Sequence, residues 1–141
     1  MRSPVHDRLG EEAVMDPTQP VRRVAPSDRI VGDPTPGMVR EQAVAVDGLW
    51  AGLVRTEAHM VSGWHHHGDY ETSIYVVRGS LRMESGRGGS QVVDAGPGDF
   101  LYVPRGAIHR EGNPGSEESH LVVVRAGRGP AVINVDGPAA S

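Results

Sequence analysis

The chain has 141 residues and a formal net charge of −4, with no cysteine, and arginine supplies all fourteen of its Lys/Arg positions. That length suits one domain with a buried core. The missing cysteines exclude disulfides, thiolate ligands and a cysteine nucleophile, and the missing lysines exclude Schiff-base chemistry. The mild acidity provides no electrostatic footprint for nucleic acid. No apolar run is long enough to cross a membrane and no apolar leader opens the chain, so a soluble cytoplasmic protein is expected. The arginine-only, Ala/Gly/Val/Pro-rich composition suggests a bacterial genome of high GC content.

Residues 1–37 read as an N-terminal arm, partly disordered or docked on a partner. Its first twenty residues are polar and carry Pro4, Pro17 and Pro20. Glu11 to Met15 has room for one helical turn, too short to hold alone. Val21 to Ala25 is a candidate edge strand, and Asp33-Pro34-Thr35-Pro36-Gly37 is a turn cluster. From Met38 the pattern changes. Val39–Val46 and Leu49–Ala58 are two short runs split by Asp47-Gly48, a strong hairpin signal. In the second run Trp50, Gly52, Val54, Thr56 and Ala58 share one face, as a half-buried strand requires.

Next comes Gly63-Trp64-His65-His66-His67-Gly68-Asp69-Tyr70-Glu71. Alternate residues of an extended segment share a face, so His65 and His67 point one way and His66 the other. Two imidazoles on one face with a carboxylate shortly after can close around a divalent metal. Further short runs follow at Ser73–Arg78, Leu81–Glu84, Gln91–Ala95, Phe100–Val103, Ile108–Glu111, His120–Arg125 and Ala131–Val135. Gly137 to Ser141 is a tail. Many short strands separated by Gly/Pro turns, without a 3.6-residue apolar period, predict an all-β sandwich or barrel. No internal repeat is present.

A second histidine segment, Gly98 to Asn113, contains Gly98, Pro104, Gly106, His109 and Asn113. These match every fixed position of the second motif of the cupin superfamily, G-x5-P-x-G-x2-H-x3-N, and the chain resembles that family. The first motif is matched in part. His65-x-His67 is present and Glu71 follows after three residues. Seven residues then separate Glu71 from Gly79, where the family has six, so the usual carboxylate position is Thr72. The family glycine six positions before the first histidine is His59. The two motifs span 63–113, and the surrounding strands extend the resemblance to about 38–136.

The resemblance implies a single-domain antiparallel jelly-roll β-barrel over 38–136. It also implies one divalent metal ion per chain (Fe, Mn, Ni, Co or Zn) held by His65, His67, Glu71 and His109. Either a bulge turns Glu71 inward or the site uses three histidines and water. Glu71 is also the candidate catalytic proton carrier. Trp64, Thr72, Ile74, Val76, Tyr102 and His120 are candidate pocket residues. Arg55, Arg82 and Arg105 are further candidates for substrate contact. Cupins commonly pair, so a homodimer is expected, with the arm or Ala131–Val135 adding across the contact. The leading functional expectation is a metal-dependent enzyme acting on a small organic molecule, of oxygenase, decarboxylase, isomerase or lyase type, in natural-product tailoring for instance. The alternative is a non-catalytic small-molecule-binding or sensor module. No nucleic-acid or membrane partner is expected. The intact H-x-H argues against a metal-free epimerase, and no phosphate-binding loop or serine elbow is present.

Overall fold

Asp47-Gly48 makes the turn its residues predict, with Gly48 at φ +80°, and joins β2 (Met38–Val46) to β3 (Leu49–Thr56). The computed structural model describes residues 15–140. The expectations for Glu11 to Val14, for the first fourteen residues of the arm and for Ser141 lie outside them. Before β2 comes β1 (Ile30–Val31). After β3 come β4 (His65–His66), β5 (Glu71–Arg78), β6 (Leu81–Ser85), β7 (Gln91–Ala95), β8 (Phe100–Val103), β9 (His109–Gly112), β10 (Ser119–Ala126) and β11 (Ile133–Asn134). The only helical pieces among the described residues are two three-residue 3₁₀ turns. Among the described residues no helix is long and apolar enough to cross a membrane.

The strands form two antiparallel sheets of a jelly-roll barrel. One has six strands in the order β1-β2-β3-β10-β5-β8, and the other has five in the order β11-β4-β9-β6-β7. Their apolar residues meet between the sheets. Val54 from β3, Ile74 and Val76 from β5, and Leu121 and Val123 from β10 face Leu81 and Met83 from β6, with Met38, Ala95 and Val103 completing the core. On β3 the expected alternation holds, since Gly52, Val54 and Thr56 are buried.

Two fixed motif residues hold the barrel's corners. Asn113 is 1% exposed and uses its whole amide. Its Nδ2 donates to the carbonyls of Thr56 and Glu117, and its Oδ1 accepts from the Gly115 N–H. Gly79 has φ +80°, and a Cβ there would lie 2.8 Å from the Cα of Ser119. The turn between β5 and β6 therefore excludes any side chain at that position.

Two segments differ from expectation. Val21–Ala25 forms no strand and Val21 is fully exposed. It lies between Pro20 and Pro26, which lack the N–H groups a ladder needs. The edge pairing is made instead by Ile30 and Val31, opposite Gln42 and Glu41. The expected strand at Ala131–Val135 shortens to Ile133–Asn134 and pairs with β4 of its own chain.

Candidate metal centre

His65 on β4 pairs directly with His109 on β9. Alternation along the first histidine segment turns His65 and His67 inward, 8% and 6% exposed, while His109 is 1% exposed. The three rings converge with centroids 4.4–5.0 Å apart. One ligand-capable atom from each lies within 4.8 Å of the others. His66 points away, and its Nδ1 accepts from the Gly68 N–H.

The backbone fixes the tautomer of all three. Nδ1 of His65 lies 2.9 Å from the Gly63 carbonyl, Nδ1 of His67 lies 2.6 Å from the Ala131 carbonyl, and Nδ1 of His109 lies 2.9 Å from the Ala107 carbonyl. A carbonyl only accepts, so each Nδ1 carries a proton, and in the neutral ring it is Nε2 that keeps a lone pair. Burial reinforces this state. Desolvation, opposed in part by the Ala131 carbonyl, brings the His67 pKa down from 6.5 to about 3. Desolvation also lowers the His109 pKa. Three preoriented imidazoles fit a divalent transition ion, for which neutral imidazole nitrogen is a common ligand.

Glu71 is not part of this group. Thr72, Ile74 and Val76 are buried on β5, so its neighbours in the alternation face outward. The Glu71 carboxylate accepts from the Tyr102 hydroxyl at 2.9 Å and pairs with Arg105 at 2.9 Å. No bulge turns it inward, and the inward position holds Thr72. The carboxylate beside the histidines belongs instead to Glu111, whose Oε1 is 3.8 Å from His65 Nε2. Sequence reasoning passed over Glu111, although it stands two residues after His109 on one strand and so shares its face.

The histidines and Glu111 form one wall of a cavity of about 640 Å³, and Thr72, Ile74, Val103, Val123, Arg40 and Arg125 line it as well. Of the other expected pocket residues, Val76 is fully buried in the core. Trp64 lies on the far side of the five-stranded sheet, with the Arg110 guanidinium 4.6 Å over its ring. Tyr102 is 62% exposed and bonded to Glu71. His120 pairs with Glu118 outside the barrel. Arg55, Arg82 and Arg105 also face outward, paired with Glu41, Asp94 and Glu71. Arg125 and Arg40 are the arginines at the cavity, and alternation with the buried Leu121 and Val123 places Arg125 on the inner face.

No curated protein matches the chain. Its fold is similar to that of the polyketide cyclase RemF from Streptomyces resistomycificus, with a TM-score of 0.66 at 23% identity over 82% of this chain and 85% of that one. It is also similar to KdgF from Halomonas sp., with a TM-score of 0.65 at 21% identity over 75% and 94%. The cupin domain of Cnp3 from Schizosaccharomyces pombe gives a TM-score of 0.62 at 15% identity over 70% and 69%. The family model described as Cupin domain matches residues 52–125. That match takes in both histidine segments and more than half of the sequence, and the chain is therefore a member of the cupin family.

Proposed function

We propose that this cupin is a metal-dependent enzyme acting on a small organic molecule held inside the barrel. One observation carries the reading: three buried histidines converge with every Nδ1 tied to a backbone carbonyl, which leaves their Nε2 atoms for an ion. A divalent ion of the Fe, Mn, Ni, Co or Zn type, when bound, supplies Lewis-acid polarisation of a substrate oxygen. Glu111 takes the role expected of Glu71. Its carboxylate stands at the histidine group inside the cavity and can accept a proton from a bound molecule. Val103, Val123 and Ile74 shield one side of the cavity from water. Similarity to a polyketide cyclase at 23% identity supports the fold alone, and oxygenase, decarboxylase, isomerase and lyase chemistry are all open to such a site.

The test is elemental analysis of the purified protein beside the double variant His67→Ala/His109→Ala. We expect about one transition ion per chain in the wild type and loss of nearly all of it in the variant. Equal ion content in the two overturns the reading. Wild-type protein that retains its ion and binds small ligands without converting them would be a binding module.

The protein acts in the cytoplasm as a homodimer that pairs through the outer face of the six-stranded sheet. Phe100, Val77, Val122 and Val124 are exposed there, and Phe100 packs on Tyr75. A contiguous apolar face of this kind suits a partner surface. Phe100→Glu should convert the dimer to monomer in sedimentation velocity, and a wild type that sediments as a monomer removes the proposal.

A further inference from the structure

Arg125 stands on the wall opposite the histidines and is the least satisfied charge in the barrel. Its register neighbours are Trp50 on β3 and Thr72 on β5. The guanidinium lies 4.9 Å over the Trp50 ring. The Trp50 indole is itself fixed by donating to Gln42 Oε1 at 3.0 Å. The Nε of Arg125 is sealed from solvent and has no hydrogen-bond partner, and the buried hydroxyl of Thr72 has none either. Among the described residues no carboxylate forms an ion pair with Arg125; the acid whose charge acts on it is Glu111, on the same cavity. A second cation, Arg40, lines the same space and is anchored through Nη1 to Thr35 Oγ1.

A buried cation without a partner is costly, typically several kcal/mol. The exterior of this barrel shows what the chain does with arginines that have no ligand to meet. Arg82 and Arg110 each make two bonds to one carboxylate. Arg125 is held in place by stacking, and among the described residues no side chain is bonded to its two Nη groups, which are left for something else. The charges lining the cavity are Arg125 and Arg40 against Glu111 and Asp33, so the cations are not outnumbered before any ion is counted. A planar guanidinium fork matches a planar carboxylate in two parallel bonds.

The geometry points to a carboxylate-binding subsite: Arg125, backed by Trp50 and flanked by Thr72 and Arg40, takes a carboxylate of the substrate while the three-histidine group faces the rest of the molecule. The substrate class is thus a small organic acid with a second oxygen function. The placement of that second function rests on the metal-centre reading, whereas the carboxylate contact does not.

The test uses full-length ¹⁵N-labelled protein treated with a chelator and titrated with malonate or with its neutral diamide, malonamide. Two resonances report, the Arg125 Nε–H and the Trp50 indole N–H. We expect malonate to shift both saturably and malonamide to shift neither. Arg125→Gln should weaken malonate binding about tenfold or more, and Arg125→Lys should weaken it less, since a point charge keeps attraction but loses the paired bonds. Circular dichroism checks that the variants fold, and the wild-type shifts decide the matter if they do not. Malonamide moving both signals equally, or malonate moving neither, overturns the inference. The two readings fail separately. A failed metal centre shows as no ion uptake with Arg125 still responding to malonate, and a failed carboxylate site shows as ion uptake with Arg125 silent.

Discussion

The outside and the inside of this barrel treat polar side chains in opposite ways. Outside, cations are matched to acids: Arg29 and Arg55 share Glu41, Arg82 holds Asp94, Arg110 holds Glu84, Arg128 holds Asp47 and Arg105 holds Glu71. Inside, apart from the unpartnered hydroxyls of Thr56 and Ser119, which do not line the cavity, the polar groups divide into two kinds. Asn113 is fully bonded and structural. The three imidazoles, Glu111, Thr72 and Arg125 keep bonding capacity turned toward the cavity. Function is therefore to be sought where satisfaction is withheld. A group paired within the protein is committed to stability, and a buried one left open is available for chemistry.

The sharpest way to break this contrast is to exchange the roles of the two glutamates. Glu111→Gln should lower turnover by about a hundredfold or more, the range for a lost proton carrier. Glu71→Gln, which disturbs only the surface pair with Arg105 and the Tyr102 hydroxyl, should stay within about twofold. Steady-state assays on the metal-loaded proteins compare them, and equal losses would erase the distinction. Next in size is Asn113→Ala. Loss of three buried hydrogen bonds should cost about 3 kcal/mol in urea unfolding, against about 0.5 kcal/mol or less for Arg82→Ala at the surface.

A further effect concerns acid. In the fold His67 takes up its proton only near pH 3, but near 6.5 when its burial is lost. Between those values the unfolded chain holds more protons, so the metal-free protein should lose stability as pH falls from about 6.5 toward 3. This group should contribute no pH dependence above that window. His109 shifts in the same direction, from the same desolvation. Urea midpoints of the chelator-treated protein across this range measure the trend. A flat profile would mean that the rings are more hydrated than their burial implies.

Much of this arrangement was legible beforehand because local rules carry it. The hairpin at Asp47-Gly48, the opposite facing of His65 and His66, and the histidine reached through Gly106 all follow from turn chemistry and period two. Glu71 and Arg125 show where such rules stop. Counting from Gly79 already placed Thr72 at the inward position, and β5 obeys that count. Arg125 follows Leu121, Val122, Val123 and Val124, a run apolar on both faces, so alternation offers no sign of which side is inside. Only the register of β10 against β3 and β5 sets Arg125 beside Trp50 and Thr72. His59 is a quieter case. It has φ +66°, alone among the described non-glycine residues in the left-handed region. That is where the family places glycine, so backbone geometry persists after the residue suited to it is gone.

The bond from His67 Nδ1 to the Ala131 carbonyl joins residues 64 positions apart. On a ribosome adding roughly 5–20 residues per second, His67 waits several seconds for the residue that sets its tautomer. Any ion arriving in that interval meets an unfinished cage. Under the proposed metal-centre reading, selectivity for an ion is thus a property of the completed protein, and its capture belongs to the end of synthesis.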